Sequence, residues 1–198
     1  MKNLWVSPQI KYDGSQLSSL WAFKKFGLQG DSIIAFSGPC AIPSKNIVDC
    51  EDLLAGCSIR GDSMLHFIIE HFEMDLEKTI IRQRLFATLI KEIIESNRPH
   101  RRTGIEKNLT RRGDDLFDDN AKLTISIATL TPVSTKIHFG INITSKGTPR
   151  FNRGRPFKTT SLQNYGINPK TLALEAMERY IQEMDDITMA RAKVRGIC

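Results

Sequence analysis

The sequence has few cysteines and no long hydrophobic run. Its 198 residues include four cysteines, Cys40, Cys50, Cys57 and Cys198, and no two of them form a C-x-x-C pair. This spacing is typical of free thiols in a reducing compartment and argues against a disulfide framework or a zinc site. No segment approaches the roughly 18 apolar residues of a membrane helix, and the first residues lack the pattern of a signal peptide. We therefore expect a soluble, cytoplasmic protein with no membrane partner.

The two common phosphate-binding loops are also missing. The chain contains neither G-x-G-x-x-G nor G-x-x-x-x-G-K-[ST], which excludes the usual dinucleotide and P-loop motifs. A zinc-protease motif is absent too, because the stretch HFIIEH has the order H-x-x-x-E-H over His66, Glu70 and His71. In a strand, His66 and Glu70 would share one face and His71 would point to the other. We predict no metal site.

The composition is that of a globular protein with a basic surface. Hydrophobic residues make up 40% of the chain and charged residues 25%, which suits one domain over residues 1–198. The net charge is +6 and the pI about 9.2, and the excess is concentrated in two loop-like segments, 98–112 and 149–158. Such segments fit an anionic partner, namely RNA, a nucleotide or an acidic carrier protein. Solvated loops explain them equally well.

Hydrophobic spacing predicts two long helices and several strands. Ile81, Leu85, Leu89 and Ile93 recur at helical spacing within residues 75–96, and a second amphipathic helix follows Pro169. Short apolar segments at 33–36 and 64–72 favour strands, whereas the polar residues 97–121 predict a long loop. The order of these elements indicates an α+β fold: a single domain with a mixed, mostly antiparallel sheet and flanking helices.

Residues 122–143 predict a β-hairpin, because apolar and polar residues alternate on both sides of a turn near Pro132. Pairing Leu130 with Lys136 would make one face of the hairpin entirely aliphatic and aromatic. The other face would then carry Lys122, Thr124, Ser126, His138 and Asn142.

This polar face suggests two kinds of chemistry. Lys122 can bind a phosphate or carbonyl oxygen, unless the neighbouring aspartates neutralise it. A group of Ser126, His138 and Asn142 can activate a nucleophile, but such a histidine is more often simply hydrogen-bonded on a polar sheet face.

The order of the motifs resembles that of the lipoate and biotin protein ligases and the octanoyltransferases. Those proteins have an Arg-Gly-rich turn before a histidine-containing strand, then a helix, a K-I-x-x-I-G-like strand and an H-G-x-x-x-N strand. Here Arg60-Gly61-Asp62 precedes His66, Lys122 begins KLTISI, and the partner strand carries HFGIN from His138 to Asn142. The resemblance implies a fold related to the catalytic domain of class II aminoacyl-tRNA synthetases.

A closer resemblance is to domain-of-unknown-function family 366, a group without an assigned activity. The segments that carry it are YDGSQL, FSGPC, RRGDDL and PVS..IHFGINI.

The distant resemblance implies a transferase or ligase-like enzyme that binds an acyl group or an acyl-adenylate. Lys122 and His138 would be its catalytic residues. The ligand would be bound by Arg60, Gly61, Asp62, His66, Ser126 and Asn142. The resemblance leaves both the cofactor and the use of ATP open. Tyr165 stands where octanoyltransferases carry their cysteine. The alternative is therefore a non-catalytic RNA-binding or regulatory module that uses the basic segments 98–112 and 149–158.

Overall fold

The computed structural model describes residues 1–97, 108–152 and 155–197. The strands of these residues are β1 (Lys2–Val6), β2 (Ser32–Ala41), β3 (Arg60–His71), β4 (Thr110–Arg112), β5 (Asp115–Asp118), β6 (Ala121–Lys122), β7 (Thr124–Leu130), β8 (Thr135–Asn142), β9 (Phe151–Asn152), β10 (Arg155–Pro156) and β11 (Lys158–Thr159). The α-helices are α1 (Trp21–Phe26), α2 (Cys50–Leu54), α3 (Leu76–Asn97) and α4 (Pro169–Lys193).

A five-stranded sheet in the order β1-β2-β3-β8-β7 forms the centre of the fold. β1 and β2 are parallel, and the other neighbours are antiparallel. Strand residues alternate between the two faces of a sheet. Both faces of β3 and β8 are covered, so most of β3 and all of β8 are buried, polar residues included.

One face of the sheet packs against α3 and α4. Phe67 and Phe139 from the sheet contact Phe86 of α3 edge-on, and Phe86 also contacts Tyr180 of α4. α4 begins at Pro169. Asn168 caps its N-terminus, because the Asn168 side chain accepts hydrogen bonds from the backbone amides of residues 170 and 171. This face holds the larger hydrophobic core.

The N-terminal segment covers the opposite face. Tyr12, Ala22 and Cys40 pack there on Phe36 and Ile68. The backbone at Ile10 comes so close to β2 that a Cβ on Gly38 would lie 2.0 Å from the Ile10 carbonyl oxygen. Glycine at position 38 therefore permits the approach that places Tyr12 over the sheet.

A four-stranded sheet in the order β11-β6-β5-β4 adjoins the end of the central sheet. The chain passes from β6 into β7 through Leu123, which is fully buried. The Leu123 amide donates to Leu116 in the small sheet, and its carbonyl accepts from Asn142 in the central sheet. Lys122 consequently lies at the junction of the two sheets.

The predicted α+β fold with a mixed, mostly antiparallel sheet is confirmed, as are the helices at 75–96 and after Pro169. The apolar segment 64–72 is a strand, as predicted, although β3 starts earlier and includes Arg60-Gly61-Asp62. The expected loop 97–121 is wrong for 110–121, which contains β4, β5 and the start of β6. Residues 98–107 of the predicted loop lie outside the described residues. The single domain over 1–198 stays a prediction.

The predicted hairpin exists, but its register is shifted by one residue. Leu130 pairs with Thr135, and Ser126 pairs with Phe139 rather than with Gly140. A shift of one residue moves a side chain to the other face of a sheet. Ser126 and Thr124 therefore share the helix-side face with Phe139, while His138 lies on the opposite face.

Candidate functional site

A pocket opens where β3, β7 and β8 meet the small sheet. It encloses about 580 Å3 of empty space, including solvent at its mouth. Apolar side chains form much of its wall, from Ile59, Met64, Ile125, Pro149, Phe151 and Phe157. The polar lining comes from Asp52, Cys57, Ser58, Arg60, Lys122, Thr124, Asn142, Thr148 and Thr159.

Lys122 of β6 and Asn142 of β8 both line this pocket. The Asn142 amide nitrogen donates to the carbonyl oxygens of Lys122 at 3.4 Å and Thr160 at 3.1 Å. These bonds hold the backbone of β6 and the end of β11 against β8. Asn142 therefore fixes the strand from which Lys122 projects.

Lys122 forms an ion pair with Asp115 of β5. Its ammonium lies 2.5 Å from Asp115 Oδ2, and both side chains are mostly shielded from solvent. Burial raises the pKa of the Asp115 carboxyl to about 6, although Lys122 acts in the opposite direction. The sequence left two roles open for Lys122, namely binding of a ligand oxygen or neutralisation by a neighbouring aspartate. Asp115 does pair with it.

The segment Arg60-Gly61-Asp62 lies along one side of the pocket. Arg60 is exposed and lines it. Gly61 is buried beside Met64. A Cβ added to Gly147, whose φ is 71°, would lie 1.9 Å from Asp62 Oδ1. Asp62 is thus packed on the loop that leads to Thr148 in the pocket wall.

His66 and His138 form a buried imidazole pair behind the pocket. His66 Nδ1 and His138 Nε2 are 3.0 Å apart, and His66 Nε2 lies 3.3 Å from the Gly38 carbonyl oxygen. A carbonyl oxygen only accepts, so His66 Nε2 carries the proton and His66 Nδ1 accepts from His138. Tyr12 stacks on His138 with ring centroids 3.6 Å apart.

Both imidazoles are neutral near pH 7. Burial lowers the pKa of His66 to about 3, and burial together with the neighbouring His66 holds the pKa of His138 well below its usual range. His138 does not line the pocket. The structure therefore places it behind Lys122 and Asn142 rather than beside them.

The predicted group of Ser126, His138 and Asn142 does not form. Ser126 Oγ accepts a hydrogen bond from Gln83 of α3, on the opposite side of the sheet from His138. The hydroxyl is thus part of the contact between β7 and the helix. The nucleophile-activation hypothesis for these residues is wrong because it depended on the assumed pairing of Leu130 with Lys136, whereas Leu130 pairs with Thr135.

The residues of HFIIEH bind different partners. His66 contacts His138, Glu70 forms an ion pair with Lys136, and His71 lies between Asp31 and Tyr180. Within the described residues no three metal-ligating groups converge. No described helix is long and apolar enough to span a membrane.

Tyr165, at the position of the octanoyltransferase cysteine, has its own hydrogen bonds. Its hydroxyl lies 3.0 Å from Asp118 Oδ2 and 3.1 Å from Thr160 Oγ1, and its side chain belongs to the main core. It serves to attach the segment after β11 to the small sheet.

Several residues that shape the pocket were not predicted from the sequence. Met64 and Ile125 look like ordinary core residues of apolar strands, and Phe151 and Phe157 lie in a segment noted only for its basic charge. The acidic run before Lys122 is the one sequence feature that pointed to such a residue, because it indicated a charge partner for Lys122, and that partner is Asp115.

Sequence and structure comparisons find relatives that match nearly the whole chain. A model of a domain of unknown function, DUF366, matches residues 1–195. An uncharacterized protein of Methanocaldococcus jannaschii is 34% identical over 193 residues, which cover 94% of this chain and 81% of that protein. A solved protein of unknown function from Pyrococcus horikoshi is 33% identical, with a TM-score of 0.88 and full coverage of both chains.

More distant solved structures share the fold. Biotin protein ligase from Aquifex aeolicus, in complex with biotin and ATP, has a TM-score of 0.59 at 13% identity and covers 91% of this chain and 70% of the ligase. A provisionally assigned lipoate protein ligase from T. acidophilum with bound lipoic acid has a TM-score of 0.51 at 11% identity, with 92% and 86% coverage. The predicted likeness to biotin and lipoate ligases is thus confirmed for the fold. The match over nearly the whole sequence shows that the chain belongs to the DUF366 family.

Proposed function

We propose that the pocket binds the acyl group or acyl-adenylate of a small-molecule substrate in a transferase or ligase-like reaction. The observation that carries this proposal is the position of Lys122. Lys122 lines a largely apolar pocket at the junction of two sheets, and its ammonium is paired there with the carboxylate of Asp115. Such a charge can stabilise negative charge on a carbonyl or phosphate oxygen during acyl transfer.

The lining suits a ligand with an anionic end and an apolar chain. Two cations, Arg60 and Lys122, and one carboxylate, Asp52, belong to the lining. The anionic end of the ligand would contact Lys122 and Arg60, and the chain would lie against Met64 and Ile125. Apolar walls with a few convergent polar groups are the usual form of a small-molecule site.

The fold relatives support the same class of ligand. Biotin and lipoic acid, bound in two of them, are both carboxylic acids with an apolar chain. The extension from those proteins to this chain is part of the proposal. Arg60, Gly61, Lys122 and Asn142 are the predicted site residues that the pocket brings together or that adjoin it.

Lys122 and His138 would have unequal roles in this proposal. Lys122 would contact the reacting oxygen, and Asp115 would hold its ammonium in place until the ligand arrives. His138 and His66 would support the inner end of the pocket. Direct contact between His138 and a ligand would require Met64 to move, since Met64 lines the pocket and its Cε reaches the position above Gly140 where His138 also lies.

A thermal-shift panel with ATP, biotin, lipoate, octanoate and an acyl-coenzyme A tests the proposal. A ligand at a hundred times its Kd adds about 2.7 kcal/mol, which at this size raises the Tm by roughly 2–4 °C. We expect a shift with an acyl compound, with or without ATP, and its loss in Lys122→Ala. Lys91→Ala is the matched control, because Lys91 also pairs with a carboxylate, Glu95, but on α3 away from the pocket. Equal shifts in both variants would reject the role of Lys122.

The alternative is an RNA-binding or regulatory module that uses segments 98–112 and 149–158. Of these, 98–107 lie outside the described residues. Arg112 donates to the Asp119 carbonyl and lies 4.8 Å from the ring centre of Phe117, so part of its side chain is already engaged. This alternative predicts binding to a short RNA that weakens steeply with salt and is unchanged in Lys122→Ala.

A further inference from the structure

We infer that Met64 closes the inner end of the pocket and sets the length of the acyl chain that the pocket accepts. This inference rests on the proposed function, because it assigns the substrate class of the same site. Met64 is 1% exposed and yet lines the pocket. It is therefore the buried apolar side chain at the inner end, where a chain anchored at Lys122 would terminate.

Two glycines define the position of the Met64 side chain. A Cβ on Gly61 would lie 3.0 Å from Met64 Sδ, and a Cβ on Gly140 would lie 3.2 Å from Met64 Cε. The thioether thus extends from the Arg60-Gly61 side of the pocket to β8. Methionine has three rotatable side-chain bonds and fills irregular space, which suits a residue that terminates a pocket.

The buried imidazole pair lies directly beyond Met64. Gly140 pairs with His66 on β3 and with Ile125 on β7. A Cβ at Gly140 would lie 3.2 Å from His138 Cε1 as well as from Met64 Cε. Met64 and His138 consequently meet above Gly140. Shortening Met64 would extend the pocket along β8 toward His138.

Substitutions at Met64 and at Gly140 should have opposite effects on the length of the pocket. Met64→Ala removes the thioether and lengthens the pocket. Gly140→Ala adds a Cβ that would lie 3.0 Å from Ile125 Cγ1 and 3.2 Å from both His138 Cε1 and Met64 Cε. The added methyl group occupies space beside the Met64 thioether, and we expect it to shorten the pocket. If Met64 merely fills the core, Met64→Ala should lower the free energy of unfolding and leave the ranking of ligand affinities unchanged.

The experiment measures Kd by calorimetry for butanoate, octanoate and dodecanoate with the wild type, Met64→Ala, Met64→Leu and Gly140→Ala. Met177→Ala is the matched control, because Met177 is also 1% exposed but lies on the helix side of the sheet. Each further methylene that Met64→Ala allows to be buried should tighten binding about four-fold. We expect Met64→Ala to shift the preference toward dodecanoate and Gly140→Ala to shift it toward butanoate. Met64→Leu and Met177→Ala should keep the wild-type ranking of affinities for the three carboxylates.

The outcomes separate the two proposals. Suppose that the wild type binds octanoate, that Lys122→Ala abolishes this binding, and that Met64→Ala and Gly140→Ala keep the wild-type ranking of carboxylate affinities. The role of Met64 is then overturned and the acyl pocket stands. If no carboxylate binds the wild type, the proposed function fails and the inference about Met64 fails with it. Should Met64→Ala not fold, Met64→Val and Gly140→Ala decide the question in the same way.

Discussion

Lys136 Nζ lies 2.7 Å from Glu70 Oε2, and both side chains are buried, at 0% and 1% exposure. The two residues face each other directly on β8 and β3. The other oxygen of Glu70 accepts from Ser134 Oγ at 2.7 Å and from the Leu20 amide at 3.2 Å. This carboxylate therefore joins β3, the turn of the hairpin and the start of α1. Burial lowers the pKa of Lys136, while Glu70 opposes this effect.

Removing one member of this pair should be costly. Lys136→Met leaves a buried carboxylate without its cation, and we expect a loss of about 3–5 kcal/mol in the free energy of unfolding. Adding Glu70→Gln removes the uncompensated charge while an amide oxygen still accepts from Ser134. The double variant should therefore recover to within about 2 kcal/mol of the wild type. Urea denaturation of the four proteins measures this cycle.

The control is Lys91→Met, which breaks the partly exposed pair with Glu95 one turn along α3. That change should cost about 0.5 kcal/mol or less. Equal costs for Lys136→Met and Lys91→Met would contradict the assignment of Glu70 and Lys136 as a desolvated pair.

The buried imidazoles should make the protein sensitive to mild acid. Their pKa values are depressed in the folded protein, to about 3 for His66 and well below the usual range for His138. The stability that they contribute is present above the unfolded value of about 6.5 and is lost as the pH falls toward about 3. In that window each histidine should remove about 1.4 kcal/mol of unfolding free energy per pH unit.

Urea denaturation between about pH 7.5 and pH 5.5 tests this dependence. His138→Gln removes one of the two titrating groups, so its stability should fall less steeply below pH 6.5, by about 1.4 kcal/mol per unit. Asp115, whose pKa is raised, acts in the opposite direction in both proteins, and therefore cancels in the comparison. Parallel curves for the two proteins would show that His138 is protonated equally in the folded and unfolded states.

The Asp115 carboxyl should titrate near neutrality and respond to Lys122. Its pKa is about 6 because burial outweighs the attraction of the ammonium 2.5 Å away. In Lys122→Met the attraction is lost and burial remains, so the pKa should rise further. Carboxyl carbon NMR of the two proteins measures both values directly. A lower pKa in Lys122→Met would refute the ion pair as a stabilising influence on the carboxylate.

The sequence predicts the long helices well because burial of one side imposes a helical period on them, and it predicts the buried strands at 33–36 and 64–72 from their short apolar runs. It misplaces the hairpin register because a local side chain sets the turn. Thr131 Oγ1 accepts from the amides of Val133 and Ser134, and the Thr131 amide donates to the Ser134 carbonyl. These bonds close the turn one residue earlier than assumed and pair Leu130 with Thr135.

The pocket was only partly predictable for a related reason. Lys122 and Asn142 are polar residues at the ends of an alternating pattern, which made them visible. β4, β5, β6 and β11 contain 3, 4, 2 and 2 residues, too few for any period to show. Their pairing depends on long-range contacts, such as the parallel pairing of β11 with β6, that no local pattern encodes.

Gly147→Ala should disturb the pocket more than an ordinary glycine substitution. Gly147 has φ 71° and lies against Asp62, whereas Gly113 has φ 65° and nothing within 4 Å of an added Cβ. Both alanine variants incur the cost of a left-handed backbone, about 1–2 kcal/mol. Gly147→Ala must in addition displace Asp62 or the loop carrying Thr148 and Pro149, which line the pocket.

We therefore expect Gly147→Ala to lower the unfolding free energy by about 1 kcal/mol more than Gly113→Ala does and to weaken binding of the acyl ligand, which Gly113→Ala should leave unchanged. Asp62→Gly in the Gly147→Ala background removes the carboxylate at 1.9 Å, so it should restore part of the binding. Denaturation and calorimetry on these variants test both effects. Equal stability of the two alanine variants, with unchanged binding, would mean that the loop accommodates the methyl group without moving the pocket wall.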